Sequence, residues 1–105
     1  MANDAFKALA HPLRRDIVER LSGGVATVGE ATRGFGVSKP TISRHLKMLE
    51  EAGVVSRMIE GRTHRLALRP EALAEASDWI DSQRERWERL FDVVGEYRED
   101  RNERR

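Results

Sequence analysis

Six side chains that donate hydrogen bonds lie close together in this chain, between positions 38 and 47. They are Ser38, Lys39, Thr41, Ser43, Arg44 and Lys47. Such donors suit phosphate oxygens and the acceptor atoms on the edges of DNA bases, and lysine and arginine add positive charge. At about 100° per residue, a helix turns Arg44 and Lys47 to one face. Thr41 and Ser43 then flank that face, and Lys39 lies at the open N-terminal end.

Signals that begin and end a helix surround this stretch. Ser38 is a favourable N-cap, Pro40 suits the first turn, and Gly53 supplies the left-handed residue that ends a helix. On the face opposite the donors, apolar residues recur four and three positions apart, at Ile42, Leu46 and Leu49. The pattern predicts an amphipathic helix at about 39–52, the recognition helix, with one face on a core and the other available for binding.

A shorter helix is predicted just before the recognition helix. Thr27 and Glu30 have the spacing of a capping box, with Thr27 as the N-cap and Glu30 at N3. The link at 35–37 is short and contains a glycine, which permits a tight turn between two steeply angled helices. Residues 27–52 are therefore predicted to form a helix-turn-helix.

A basic β-hairpin is predicted directly after the helix-turn-helix, at 54–68. Its two strand-like runs flank the turn Glu60-Gly61-Arg62, and this combination predicts a winged helix. Arg62, at the tip of the wing, is expected to approach the minor groove or the DNA backbone, with Arg57 and Arg65 in support. For Arg57, a surface salt bridge is an alternative role.

Three segments carry a family resemblance: ALAHPLRRDIV at 8–18, SKPTISRHLKML at 38–49 and AGVV at 52–55. Their order, with a long helix after the wing, resembles the ArsR/SmtB family of bacterial winged-helix repressors over nearly the whole chain. The resemblance implies a homodimer, formed through the first and last helices, whose partner is double-stranded DNA.

The same resemblance bears on metal binding. Metal sensors of this family use cysteine pairs near the helix-turn-helix, or His and acidic ligands on the final helix. This chain has no cysteine, and its last histidine is His64. It is therefore similar to cysteine-free, autorepressor-like members, which partner proteins or unidentified ligands often control. No metal and no cofactor are expected.

The final helix, predicted at 70–99, has the spacing of a dimer interface. Apolar residues and one glutamine alternate three and four apart, at Leu73, Ala76, Ile80, Gln83, Trp87, Leu90, Val94 and Tyr97. This heptad-like series suits two helices packed along their length, although packing on the N-terminal helices at 1–24 is an alternative. The predicted interface consists of Phe6, Leu9, Leu73, Ile80, Gln83, Trp87, Leu90 and Val94.

Composition limits the classes of protein that remain. A chain of 105 residues with 39% hydrophobic and 35% charged residues predicts one mostly α-helical domain with a small β-hairpin. It has no apolar run that approaches the ~20 residues of a membrane span and no signal peptide, so a cytoplasmic, nucleoid-associated protein is expected. Residues 1–70 hold 12 Lys and Arg against 7 Asp and Glu, a net charge of +5, and residues 71–105 carry −4. The basic part is the one predicted to face DNA.

The three histidines have ambiguous roles. His45 lies at the edge of the apolar stripe, where it either packs or contacts a phosphate. His11 precedes Pro12 in a predicted break between helices, where a capping role is expected. His64, on the wing, either contacts the DNA backbone or faces solvent.

Together these patterns predict a sequence-specific DNA-binding transcriptional regulator. Two recognition helices related by a two-fold axis enter grooves roughly 34 Å apart, so the expected operator is an inverted repeat. The promoter of the protein's own gene is among the expected targets. The base-reading residues are expected to be Lys39, Thr41, Ser43 and Arg44, and the phosphate-binding residues Ser38 and Lys47. The position of the operator relative to the promoter decides between repression and activation.

Two alternative functions remain open at this point. One is a switch gated by a ligand or protein partner, with weak DNA binding and a possible pocket at Trp79, Trp87 and Phe91. The other is an architectural protein that binds DNA without sequence preference. No nucleophile motif and no Gly-rich phosphate loop after a strand are present, so an enzyme is not expected.

Overall fold

The chain folds as a winged helix-turn-helix followed by one long helix. The computed structural model describes the backbone of residues 2–103 and the side chains of residues 3–93. The elements, in order, are α1 (Ala2–Ala8), α2 (Pro12–Leu21), β1 (Ala26–Thr27), α3 (Val28–Ala31), α4 (Lys39–Glu51), β2 (Val55–Glu60), β3 (Thr63–Leu68) and α5 (Pro70–Glu103). The predicted fold class, mostly α with a small β-hairpin wing, is confirmed.

The N-terminal region breaks into two helices where a proline was expected to interrupt it. Pro12 begins α2, where its fixed φ angle and missing N–H are tolerated. His11 is the N-cap of α2, and its Nδ1 accepts the backbone N–H of Leu13 at 3.1 Å. The capping role predicted for His11 is confirmed.

The recognition helix is α4, and it begins and ends as predicted. Ser38 is its N-cap, with the Ser38 hydroxyl accepting the N–H of Thr41 at 3.4 Å. Gly53 has a φ angle of 73°, the left-handed conformation that ends a helix. Leu46 and Leu49 are buried and Ile42 is half-buried, so the apolar stripe faces the core.

The core lies where α2, α4 and the sheet meet. Its largest fully buried side chains are Ile17, Leu46, Leu49, Val54 and Leu66. Leu46 and Leu49 come from the inner face of α4, and Leu66 from the central strand of the sheet. Because the inner face of α4 is held in this way, its outer face is directed to solvent.

The first helix of the helix-turn-helix is shorter than a typical one. α3 spans a single turn, Val28–Ala31, with the hydroxyl of Thr27 accepting the N–H of Glu30 at 3.2 Å. The same hydroxyl donates to the Glu30 carboxylate at 2.9 Å. The capping spacing therefore located the start of α3, and a turn through 32–34 follows directly.

The wing hairpin is joined by a third strand. β2 and β3 pair antiparallel from Val55 opposite Leu68 to Glu60 opposite Thr63. β1 adds to the other side of β3, with Ala26 opposite Leu66, so the strand order is β1-β3-β2. The sequence analysis did not predict β1, because a strand of two residues has no alternation of its own.

The long helix α5 is only partly covered. Its first third packs on α1, where Ala76 is buried and the rings of Phe6 and Trp79 meet edge to face at 5.4 Å. The helix continues to Glu103, four residues past the predicted end, and gives the molecule a long axis of 73 Å. Within the described residues, no helix combines the length and apolarity that a membrane crossing requires.

Candidate DNA-binding surface

The outer face of α4 and its N-terminal end collect the predicted donors on one surface. Those exposed to solvent are Ser38, Lys39, Ser43, Arg44 and Lys47. Thr41 is half-buried, and its hydroxyl lies 2.9 Å from that of Ser38. The arrangement follows from the helical period, since the buried stripe of α4 faces the other way.

The two basic side chains at the centre of this surface are available for binding. In the described part of the chain, Arg44 has no ion pair or side-chain hydrogen bond. The ammonium group of Lys47 lies 3.8 Å from the Glu51 carboxylate, with the two side chains 75% and 66% exposed. An ion pair this exposed contributes little free energy, so Lys47 can exchange Glu51 for another anion.

The three wing arginines lie in different environments. Side chains alternate between the faces of a strand, and the register places Arg57 opposite Leu66 but Arg65 opposite Met58. Arg57 therefore shares the core-facing side of the hairpin, and Arg65 lies on the other side. Arg62 is in the exposed turn beside Gly61, whose φ angle is 63°. The expected cooperation of all three at one DNA contact does not fit this geometry.

Arg57 is held by contacts within the protein. Its Nη2 lies 2.6 Å from the Glu50 carboxylate, and its Nε donates to the same oxygen at 2.8 Å. Its Nη1 donates to Nδ1 of His64 at 2.9 Å. The structure favours the salt-bridge alternative for Arg57, and it shows His64 half-buried against a neighbour on the wing. The three residues link α4 to both wing strands.

Arg62 is the wing residue best placed to reach a DNA backbone. It has no ion pair in the described part of the chain, and the turn projects it into solvent. Arg65 is half-buried, and its Nε lies 3.3 Å from the Glu60 carboxylate. That pair is partly exposed, so Arg65 is a weaker candidate than Arg62.

His45 packs against α2 at the edge of the buried stripe of α4, one helical turn after Thr41. Its Nδ1 lies 3.1 Å from Nη1 of Arg14, and its ring centroid lies 4.5 Å from that of His11. Burial lowers the pKa of His45, and the nearby positive charges of His11, Arg14 and Arg44 lower it further. The structure therefore favours the packing interpretation of His45.

Among the described residues, no three His, Asp or Glu side chains are grouped to hold a metal ion.

The sequence analysis missed two arginines whose guanidinium groups make hydrogen bonds within the protein and stabilise the helix-turn-helix. Arg14 is 7% exposed and contacts both α1 and α4. Nη1 of Arg20 donates to the carbonyls of Ala31 and Arg33 at 3.3 and 2.7 Å, and its guanidinium lies 4.2 Å from the Phe35 ring centre. A signal for Arg14 existed, because it continues the buried stripe of Ile17 and Leu21 on α2 at helical spacing.

The predicted dimer residues fall into two groups. Phe6, Leu9, Leu73 and Gln83 are half-buried within the chain. Ile80, Trp87 and Leu90 are 48%, 62% and 63% exposed, and they face the same side of α5. Val94 lies outside the residues whose side chains are described. These three residues form an exposed apolar strip along α5 from Ile80 to Leu90. Within the strip, the ring of Trp87 packs on that of Phe91, with the ring centroids 5.8 Å apart.

Comparison with known proteins agrees with this geometry. Residues 9–57 match a family described as a helix-turn-helix domain. The transcriptional repressor SdpR of Bacillus subtilis is 37% identical over 78 residues, which cover 74% of this chain and 87% of that protein. The HTH-type transcriptional regulator Rv2034 of Mycobacterium tuberculosis is 44% identical over 77 residues, covering 73% of this chain and 72% of that protein.

Solved structures extend the similarity to the fold. The crystal structure of the ArsR family transcriptional regulator RHA00566 is 36% identical to this chain, with a TM-score of 0.78. The similarity covers 82% of this chain and 89% of that one, and so includes the helix-turn-helix and the wing. The chain therefore belongs to the ArsR/SmtB family of winged helix-turn-helix proteins, and it is a DNA-binding regulator of transcription.

Proposed function

We propose that this regulator is a homodimer that represses transcription by binding an inverted-repeat operator, with its own promoter among the targets. The single observation that carries the proposal is the outer face of α4, where donors free of strong internal partners are fixed on a helix with a buried inner face. Such a regulator acts on the chromosome, which in bacteria lies in the cytoplasm.

The proposed DNA contacts differ in what they contribute. Arg44 is suited to bidentate contact with O6 and N7 of a guanine, which is worth ~1–3 kcal/mol of discrimination. Lys39, Thr41 and Ser43 are the other proposed base-reading residues, because they surround Arg44 on the same exposed surface. Ser38 and Lys47 are proposed to hold phosphates, which sets the position of the helix without reading sequence.

The exposed strip on α5 supports the proposed dimer. Trp87 and Leu90 are each more than 60% exposed in one chain, and a stretch of helix with that much uncovered apolar surface is typical of an interface. A second copy packed along α5 would cover both residues and bring the two Gln83 side chains together. A two-fold dimer of this kind presents its two α4 helices to successive major grooves, which requires an inverted repeat.

Selection from a pool of random duplex DNA tests the proposal without knowledge of the operator. The purified chain is expected to enrich an inverted repeat whose half-sites lie about 10 base pairs apart. Fluorescence anisotropy should then show a preference of ~10³ or more for that sequence over random duplex, with binding that weakens steeply as salt rises.

The outcomes of that selection separate the competing functions. Uniform binding to all duplexes would contradict the proposal and favour an architectural protein. Recovery of no DNA at all would favour the switch that needs a ligand or protein partner, which would act at the exposed pair Trp87 and Phe91. Sedimentation of the free chain as a monomer at micromolar concentration would contradict the proposed dimer.

A further inference from the structure

A buried guanidinium joins three helices behind the DNA-binding surface. Nε of Arg14, on α2, donates to the carbonyl of Ala8 at 2.5 Å, and Nη2 donates to that of Lys7 at 3.0 Å. These carbonyls belong to the last turn of α1, where a helix runs out of its own N–H donors; that of Lys7 also accepts the N–H of Ala10 at 3.3 Å, beyond the end of the helix. Arg14 therefore holds the C-terminal end of α1 through charge-assisted hydrogen bonds.

The same guanidinium reaches α4. Its Nη1 lies 3.1 Å from Nδ1 of His45 and 3.3 Å from Sδ of Met48. A guanidinium has donors only, so Nδ1 of His45 must accept. The contact therefore requires a neutral His45 with its proton on Nε2, and a protonated ring cannot form it.

This contact connects two surfaces that the proposed function uses. α1 packs on α5, which carries the exposed apolar strip, and His45 is the residue after Arg44 on the recognition helix. We propose that Arg14 and His45 are positioning residues for DNA reading: their hydrogen bond sets how α4 sits on α1 and α2, and so aligns Arg44 in each half of the dimer. The inference rests on the proposed DNA-reading role of α4.

Positive charges around His45 oppose its protonation, and a proton on the ring would break the contact. His11, the cap of α2, Arg14 of α2 and Arg44 of α4 all place positive charge toward the ring. From α1, Asp4 and Lys7 line the adjoining groove with Met48 and Glu51. A proton on His45 would remove the only acceptor that α4 offers the guanidinium apart from the weak thioether, and would add a like charge beside it.

Two substitutions at one position separate the acceptor from the titration. In His45→Asn, the amide oxygen occupies the place of Nδ1 and accepts without titrating, whereas His45→Leu has no acceptor. Both are compared with the unchanged chain on a duplex carrying the inverted repeat recovered from the random pool, by anisotropy at about pH 8 and about pH 5.5. His11 and His64 are present in all three proteins, so the compared proteins differ only at position 45.

The expected pattern has two parts. At about pH 8, His45→Leu binds about three- to tenfold more weakly than the unchanged chain, and His45→Asn recovers that loss. At about pH 5.5, the unchanged chain becomes weaker than His45→Asn in proportion to the fraction of His45 that is protonated, because only the unchanged chain loses its acceptor. A merely structural residue would give the first difference without the second.

The opposite results would overturn the inference. Equal affinities of the unchanged chain and His45→Leu at about pH 8 would show that the hydrogen bond does not position α4, and equal affinities of the unchanged chain and His45→Asn at about pH 5.5 would refute its sensitivity to acid. A gain in affinity at low pH that only the unchanged chain shows would mean that a charged His45 contacts a phosphate instead.

A measurement without DNA keeps the test independent of the proposed function and of variant folding. Nitrogen-15 NMR of the imidazole in the unchanged chain should show His45 as the Nε2–H tautomer, with an unprotonated Nδ1. The Nδ1–H tautomer would refute the contact even if every variant unfolded. If the unchanged chain shows no preference for the selected duplex at about pH 8, the result counts against the proposed function. The NMR measurement of the His45 tautomer would still test whether the hydrogen bond between Arg14 and His45 exists.

Discussion

Replacing Arg44 by alanine should remove sequence reading at one operator position while leaving the fold intact. Arg44 is exposed and has no ion pair within the described residues, so its loss should change the free energy of unfolding by no more than about 0.5 kcal/mol. A bidentate contact to guanine is worth ~1–3 kcal/mol, and a dimer makes it twice. The operator affinity should therefore fall by about 2–6 kcal/mol, at least roughly 30-fold.

The assay is an anisotropy titration on the selected operator and on operators with one base pair changed symmetrically in each half-site. At the position that Arg44 reads, the base change should weaken the unchanged chain but have almost no further effect on Arg44→Ala. Arg44→Lys keeps the positive charge but lacks the planar guanidinium with its paired donors. It should therefore recover the sequence-independent, electrostatic part of the DNA affinity and little of the discrimination between bases.

A matched control comes from α5. Arg89→Ala removes the same charge from an exposed position whose ion pair with Glu85 spans 3.9 Å, on the side of the helix away from the apolar strip. It should leave operator affinity nearly unchanged. The reasoning fails if Arg44→Ala weakens binding to every duplex equally, or if Arg44→Lys restores full discrimination, since either result would make Arg44 a phosphate contact.

Further predictions concern the wing, the dimer, the link between α4 and the wing, and acid stability. Arg62→Ala should weaken binding to all duplexes alike and lower the salt slope by about one, as measured by titration at several salt concentrations; a loss confined to one base pair would contradict this backbone role. Leu90→Arg should weaken the dimer at least about tenfold in sedimentation equilibrium, whereas Ser82→Arg, at an exposed position outside the apolar strip of α5, should not; equal dimerisation of both variants would place the interface elsewhere. Arg57→Met should lower the free energy of unfolding by about 1 kcal/mol in urea, because its pair with Glu50 is only 27% and 31% exposed and partly shielded from water; lost DNA affinity with unchanged stability would instead make Arg57 a DNA contact. The pKa of His45 is lower in the folded chain than in the unfolded one, so between these values the unfolded chain binds more protons and stability falls as the pH drops below about 6.5; urea unfolding should show a weaker acid dependence in His45→Asn, and an identical dependence would count against the packed, neutral His45.

Local signals in the sequence were sufficient to locate the DNA-binding elements. The N-cap Ser38, the terminating Gly53 and the apolar stripe ending at Leu49 act within a few residues of one another, so they specify α4 without reference to the rest of the fold. The same holds for the wing, where alternating residues flank a turn that contains Gly61. The acidic and basic halves of the chain, and the spacing that aligns Trp87 with Leu90, were equally visible.

Only the tertiary structure decided which polar side chains are free to bind. Arg57 and Arg62 look alike in sequence, but Glu50 of α4 holds the first and the turn exposes the second. Arg14 and His45 are 31 residues apart, and no local pattern predicts that a guanidinium will bridge that separation. Strand β1 likewise exists only because β3 offers it an edge to pair with. Helices and turns form from neighbouring residues, whereas the partners of a charged side chain depend on which distant elements the core brings together.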